Sequence, residues 1–382
     1  MHCPKGIDIA IFCREPMQGN SIFKHINMKY APIRIPTLCR SNHFIRLIES
    51  LKQNSWAKYT EVFVGLDYPP NEKYRRGWQE ICDYVGTGDF SVFSAFHVIK
   101  RTENYGAFNN SADLIHRIYN QGYDRCISLE DDLEVSPNFI EYMDKCLEAF
   151  EDDPNVVCVT GYSYPVDWKA SKDASCMRQD FNASTWGRGT WRKKSDDYRP
   201  YIYSGGMLQK LTEVIRSKRY LRMIDACLKE YIRAALLPSR AGLMSKCTDI
   251  GMRAYLAVDG KYFVSPIISK VQNHGFDGSG LYCQDIVQLD GRTACTYNYA
   301  EQPIDESASF EIRLNDGTYL EENRRRLNDF DYRSPSQMRK THLLLWLMEH
   351  VGIWAAKTYI YATLPYDYAV RAFAKAKRML KR

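Results

Sequence analysis

The chain has 382 residues, 45% hydrophobic, 26% charged and 13% aromatic, which excludes a mainly disordered chain and leaves room for one large α/β domain with appendages. Its net charge of +6 is unevenly placed: from Arg324 to Arg382 thirteen Lys or Arg face four Asp or Glu, a balance of +9, so residues 1–323 carry −3. The twelve cysteines form no Cys-x-x-Cys pair and no zinc-like spacing, which excludes a zinc module and predicts reduced thiols.

Residues 1–30 precede the first recognisable strand and are read as an N-terminal extension. Their start, MHCPKGIDIAIFCREP, is broken by charges and Pro too early for a signal peptide or signal anchor. The Asn-x-Ser sequons at Asn109 and Asn182 are therefore expected to stay unglycosylated.

From about Ala31 strands and helices alternate. IRIPTL ends at Cys39-Arg40, and Phe44, Leu47, Ile48 and Leu51 follow at helical spacing. EVFVG stops at the turn Leu66-Asp67-Tyr68-Pro69-Pro70, after which Tyr74, Trp78, Ile81 and Cys82 trace a second helix face. FSVFSAFHVI reads as a third strand. NNSADLIHRIYNQG then reads as a helix capped by Asn110 or Ser111 and stopped by Gly122. CISL is a fourth strand, Ser136-Pro137 opens a helix whose inner face is Phe139, Ile140, Met143, Cys146, Leu147 and Phe150, and VVCVT is a fifth strand. This rhythm predicts an α/β fold with a mostly parallel sheet flanked by helices, with ligands beyond the carboxyl ends of its strands.

The domain is expected over 31–285, with one half at about 31–160 and a second at about 161–285. After Thr160 the rhythm gives way to loops rich in aromatic and basic residues, a helical region at roughly Gly206 to Leu237, and the Gly-rich NHGFDGSG. Residues 286–335 are polar and weakly patterned, a strap or linker. Residues 336–382 form a helical, amphipathic tail, too polar to span a membrane, in which Trp346, Trp354, Tyr359, Tyr361, Tyr366 and Tyr368 precede six cations from Arg371 on. Aromatics beside cations predict a tail that lies on an anionic membrane surface, and no nucleic acid is expected. The other reading is a terminal helix packed on the domain with a solvated basic end.

Three adjacent carboxylates, Glu130, Asp131 and Asp132, stand at the end of CISL. Like charges crowded in this way raise one another's pKa and destabilise a fold unless a cation neutralises them. Mg²⁺ or Mn²⁺ would do so, because hard cations take oxygen ligands and need only one or two carboxylates when substrate phosphates supply the rest. A solvated acidic turn or a cap on the following helix is the alternative.

LEDDLEVSPNFIEY resembles the signature of the GT-A glycosyltransferases, close to the E-D-D-L-E-V-x-P-x-F-x-E-Y stretch of Golgi N-acetylglucosaminyltransferases and similar to bacterial family 2-type transferases of surface polysaccharides. The resemblance runs with gaps from about Pro32 to Gly280 and is specific at Glu130 to Tyr142. It implies a GT-A, Rossmann-like fold, a nucleotide-sugar donor, a UDP sugar by preference, and Mn²⁺ or Mg²⁺. It makes Asp132 the metal ligand and places Glu130 and Asp131 with the donor. Arg40 would meet the nucleotide or its phosphates, although Cys39 replaces the Asp of the family's Asp-Arg pair. Asp67 matches an Asp that reads the uracil edge, or is a turn former before Pro-Pro. Asn104 and Gly106 resemble an N-x-G element beside the donor. Asp249 falls at the position of a catalytic base in a W-D motif whose Trp is absent here, and would otherwise be a helix cap. Trp186, Gly187 and Trp191 resemble a W-G-W-x-x-W segment under the acceptor, or are core residues. His274 resembles a His-Gly that closes over the diphosphate.

The resemblance implies an inverting, metal-dependent transfer to a hydroxyl of a glycan or lipid-linked acceptor, by a cytoplasmic protein peripheral on the inner face of the plasma membrane. Two other readings stand beside it. A nucleotidyltransferase shares the sheet and the acidic site, but would need a Gly-rich, basic loop after the first strand, which CRSNHF lacks. A membrane-bound scaffold that has lost activity is the non-enzyme reading.

Overall fold

A computed structural model of the chain describes residues 7–13, 28–180, 184–202, 205–216, 231–232, 236, 248–279, 297–315, 317–330, 335–363 and 365. The first strand lies in the N-terminal extension: β1 (Ile7–Cys13) pairs antiparallel with β4 (Ala95–Lys100) at the edge of a ten-stranded sheet. β2 (Ile33–Thr37), β3 (Glu61–Leu66), β4 and β5 (Arg125–Ser128) pair in parallel in the order β4-β3-β2-β5. α1 (Ser41–Lys52), α2 (Arg75–Thr87) and α3 (Gly106–Asn120) connect them. Ile33, Ile35, Val62, Val64 and Phe96 are fully buried, as expected where helices cover both faces of a parallel sheet.

The order has a consequence for function. The chain runs outward from β2 through β3 to β4, then returns to build β5 on the other side of β2. The crevice between the carboxyl ends of β2 and β5 is therefore the topological switch point, where open α/β sheets bind ligands.

Beyond β5 the sheet becomes mixed. β9 (Arg188–Trp191) inserts antiparallel between β5 and β7 (Val156–Thr160). β10 (Tyr262–Pro266) follows parallel to β7, β8 (Cys176–Gln179) antiparallel to β10, and β12 (Leu314–Asn315) parallel to β8. A separate ribbon pairs β6 (Leu133–Val135) with β11 (Val271–Asn273). α4 (Phe139–Ala149) buries Phe139, Ile140, Met143, Cys146 and Leu147, the face read from its periodicity. The expected α/β class with a mostly parallel sheet flanked by helices is borne out.

The helix expected from Asn110 begins instead at Gly106. Asn110 is buried inside it, donating to the Gly65 carbonyl at 2.7 Å and accepting from Arg101 Nε at 3.0 Å. Of the region between 286 and 335, residues 297–315 lie on the sheet domain through a buried link: Lys270 Nζ donates to Asp305, and Asn138 Nδ2 donates to Asp305 Oδ2 at 3.0 Å. Among the described side chains, those of Cys39, Cys82, Cys126, Cys146, Cys158 and Cys176 are free thiols.

The chain divides into two compact units, Met1–Asp197 with Tyr262–Tyr332, and Tyr198–Lys261 with Arg333–Arg382. The described residues of the second are mostly helical. The helices Thr248–Asp259 and Pro335–His350 both pack against the helix Gly205–Arg216, burying Met207, Leu211, Leu256, Leu344, Leu345 and Met348. Tyr366, Tyr368 and the cations from Arg371 on lie outside the described residues.

Candidate active site

The turn after β5 brings the acidic residues to the switch point. Glu130 is exposed, whereas Asp131 and Asp132 are each 6% exposed. Neighbouring buried carboxylates repel one another by a few kcal/mol unless something compensates, roughly the size of a contact between unit charges at a dielectric of about 20. Here Arg40, at the N-terminus of α1, bridges them. One guanidinium nitrogen donates to Asp131 Oδ1 and the other to Asp132 Oδ2 at 2.8 Å. Thr37 Oγ1, at the last position of β2, donates to Asp131 Oδ2 at 2.8 Å. Burial still pushes the Asp131 carboxyl above the usual range, with Arg40 pulling it back. Asp132 Oδ1 is buried and has no hydrogen-bond partner.

The β6/β11 ribbon folds a loop over these carboxylates. The His274 amide donates to the Asp132 carbonyl at 2.9 Å, and His274 Nε2 lies 2.9 Å from Glu134 Oε2. A Cβ on Gly275 would stand 2.1 Å from Asp132 Oδ2, so any larger residue there must displace that carboxylate or the loop. Asp277 Oδ2 lies 2.9 Å from His43 Nε2 of α1. The loop is thus fastened on both sides of the acidic pair.

Asp67, Asn104 and Gly106 also come together. Asp67 Oδ1 accepts from the amides of Tyr68 at 2.9 Å and Tyr105 at 2.8 Å, and Oδ2 accepts from the Gly106 amide at 2.9 Å and Asn104 Nδ2 at 3.2 Å. Two contacts on each oxygen use the four acceptor positions of a carboxylate. Asp67 therefore caps α3 from the end of β3, which is why that helix starts four residues ahead of Asn110. Burial raises the Asp67 pKa and these amides oppose the rise. Arg101, fully buried behind this clasp, has its guanidinium 4.6 Å from the Tyr105 ring centre.

The three residues expected under the acceptor separate. Trp186 is partly exposed in an aromatic group, 4.6 Å from Tyr162, 5.9 Å from Phe276 and 5.3 Å from Tyr299 between ring centres. Gly187 has φ +62°, and a Cβ there would lie 3.0 Å from Phe139 and Val271, so its role is close packing in a left-handed conformation. Trp191 does not line a pocket: it is 2% exposed in β9, and its Nε1 donates to the Leu147 carbonyl at 3.0 Å. Its ring is core because β9 lies inside the sheet. Asp249 is the second residue of the helix Thr248–Asp259 in the second unit, and its side chain lies outside the described residues.

Sequence reading missed Thr37 and the steric role of Gly275. The only signals available were a hydroxyl at the last position of the first parallel strand and the glycine after His274. The aromatic partners Tyr162, Phe276 and Tyr299 carried no signal, since they come from three separate segments of the chain.

Residues 100–186 match the GNT-I family, a stretch that holds the acidic trio, Asn104 and Gly106, whereas Thr37, Arg40, Asp67 and the His274–Gly275 loop lie outside it. The expectation of a GT-A-type glycosyltransferase is borne out at the segment that carries its motif. No curated protein matches the chain. Among solved structures, S. aureus TarS is similar at 10% identity over 44% of this chain and 29% of that one, with a TM-score of 0.30. TarS 1-349 in complex with UDP-GlcNAc is similar at 14% identity over 44% and 47%, TM-score 0.30. A mannosyltransferase from Pyrobaculum calidifontis, in complex with GDP-Man and Mn²⁺, is similar at 12% identity over 62% and 87%, TM-score 0.35. The chain spans less than half the length of either TarS chain, and at these TM-scores the structures add nothing to the family match.

Proposed function

We propose that the chain moves a sugar from a nucleotide sugar, UDP-linked, to a hydroxyl of a glycan or lipid-linked acceptor, with inversion and with the help of a divalent cation, in surface polysaccharide synthesis. The observation that carries this reading is Asp132: a buried carboxylate with one oxygen left without a hydrogen bond, at the switch point of the sheet, inside the segment that matches the family. Such an oxygen is costly unless a ligand completes it.

The donor set fits a hard cation. Among the described residues no three His, Cys, Asp or Glu converge to form an all-protein cage. One or two carboxylates, completed by water and phosphate oxygens, are how Mg²⁺ and Mn²⁺ are commonly held beside nucleotides. Asp132 is the proposed ligand, with Asp131 and Glu130 beside the donor. Bound there, Mn²⁺ or Mg²⁺ would offset the charge that develops on the departing diphosphate.

The protein's own groups do the remainder. Arg40 and the amides at the start of α1 favour an anion at the same crevice. Asp67, through its hold on Asn104 and Gly106, fixes the loop beside the nucleotide. His274 and Gly275 cover the diphosphate, and Trp186 offers an aromatic face to the acceptor. An inverting attack needs a base on the acceptor side, for which Asp249 is proposed.

The protein is proposed to act on the inner face of the plasma membrane, held there by its C-terminal helices. No helix among the described residues is long and apolar enough to cross a membrane. Of the eight large hydrophobic residues exposed among the described residues, five fall between Leu343 and Tyr361, and from Arg324 on the sequence is strongly basic.

A thermal-melting screen of nucleotide sugars with and without Mn²⁺ tests the donor site, because a ligand that binds only the folded state raises its melting temperature. A UDP sugar with Mn²⁺ is expected to raise it in the natural protein and not in Asp132→Asn. No rise with any nucleotide sugar would sink the reading.

A further inference from the structure

Arg40 stands where the acidic pair would meet a cation. Its side chain is 21% exposed, against 8% for each of the two carboxylate side chains it bridges. Thr37 takes the second oxygen of Asp131, so Asp132 Oδ1 is the one oxygen of the pair with no hydrogen-bond partner. A divalent cation approaching that oxygen meets a carboxylate already shared with a guanidinium and is repelled by the guanidinium's charge at close range.

We propose that Arg40 is a resident counter-ion that makes cation binding at Asp132 depend on the nucleotide diphosphate. This inference rests on the donor and metal reading above. Asp131, Asp132 and Arg40 together carry one negative charge, and a divalent cation alone would turn the cluster positive. A diphosphate brings at least two negative charges and presents paired oxygens, a geometry that suits a guanidinium as well as a carboxylate does. It would draw Arg40 off Asp132 and free that carboxylate to hold a cation. Arg40 is a positioning residue in this scheme: it moves between two anions, and the cluster carries one negative charge both when empty and when a divalent cation and a doubly charged diphosphate are added. Linkage requires the effect to be reciprocal, so the cation must tighten nucleotide binding by the same factor that the nucleotide tightens cation binding.

The test is calorimetric titration of Mn²⁺ into the full chain with and without saturating UDP, using Asp132→Asn to subtract the Mn²⁺ that UDP carries in solution. The natural protein is expected to bind Mn²⁺ weakly alone and about tenfold or more tightly with UDP, a coupling of ordinary size. Arg40→Gln is expected to bind Mn²⁺ alone more tightly than the natural protein and to lose most of the dependence on UDP. Arg40→Lys, which keeps the charge, is expected to retain it. Melting curves without UDP give a second readout, in which Mn²⁺ alone raises the melting temperature of Arg40→Gln but not of the natural protein. Equal Mn²⁺ affinity with and without UDP in the natural protein overturns the inference and leaves the metal site standing. Arg40→Gln binding Mn²⁺ no more tightly also overturns it. Failure of the natural protein to bind Mn²⁺ even with UDP overturns the metal reading itself.

Discussion

Asp144 shows how far one carboxyl can depart from its ordinary behaviour without serving a site. It is fully buried in α4, its Oδ1 accepts from the Ala31 amide at 2.9 Å, and burial pushes its pKa up to about 8 against the pull of that amide and of Arg125. From the usual carboxylate range up to about pH 8 the folded protein therefore holds a proton that the unfolded chain has released. Stability falls as pH rises through that window. Asp144→Asn removes the titration and keeps the acceptor. At pH 8 it should raise the melting temperature by roughly 2 °C or more, since each kcal/mol shifts a chain larger than about 250 residues by less than about 2 °C and the effect at this pH is several times that, and the gain should vanish near pH 4. An unchanged melting temperature across this range would contradict the buried carboxyl. Asp131 differs because both of its oxygens have partners, Arg40 and Thr37, whereas Asp144 Oδ2, like Asp132 Oδ1, is buried with no hydrogen-bond partner. Of these residues the acidic trio was legible in the sequence, since three like charges at a strand end demand a cause. Trp191 was not, because a Trp in an aromatic-rich segment reads the same whether its ring faces a ligand or a neighbouring strand.

Among the elements, the parallel strands and their helices could be read from periodicity, because each is long enough to repeat its pattern. β9 has four residues, all buried, and its insertion between β5 and β7 is set by tertiary pairing that no local pattern encodes. The start of α3 was misplaced for a related reason. Its cap is Asp67, nearly forty residues upstream, so the nearby Asn110 looked like the better candidate. The β6/β11 ribbon is the element that joins the halves of the site, and its tightest point is Gly275. In Gly275→Ala the added methyl would displace the Asp132 carboxylate or lift the loop. The variant should stay folded and lose about tenfold or more in affinity for a UDP sugar with Mn²⁺, read by calorimetry. Natural affinity in a folded variant would show that the loop does not seat against Asp132.

At the scale of the whole molecule, the sheet unit carries the family match, and the helical unit carries three of the five exposed aromatics among the described residues, Trp346, Trp354 and Tyr361. Leu344, Leu345, Met348, Ala356 and Ile360 are buried, while Trp346 is 51% and Trp354 67% exposed. One face of these helices is thus satisfied by the protein and the other is not. The double substitution Trp346→Ser with Trp354→Ser should reduce sedimentation with anionic vesicles by about tenfold without lowering the melting temperature; unchanged sedimentation would refute the membrane-facing role. The central claim is sugar transfer dependent on Asp132, and it is tested most directly by release of UDP from a panel of UDP sugars with Mn²⁺. The account predicts release by the natural protein with at least one sugar, and a fall of about a hundredfold in a folded Asp132→Asn variant. Release that is absent for every sugar, or equal in the variant, would contradict it.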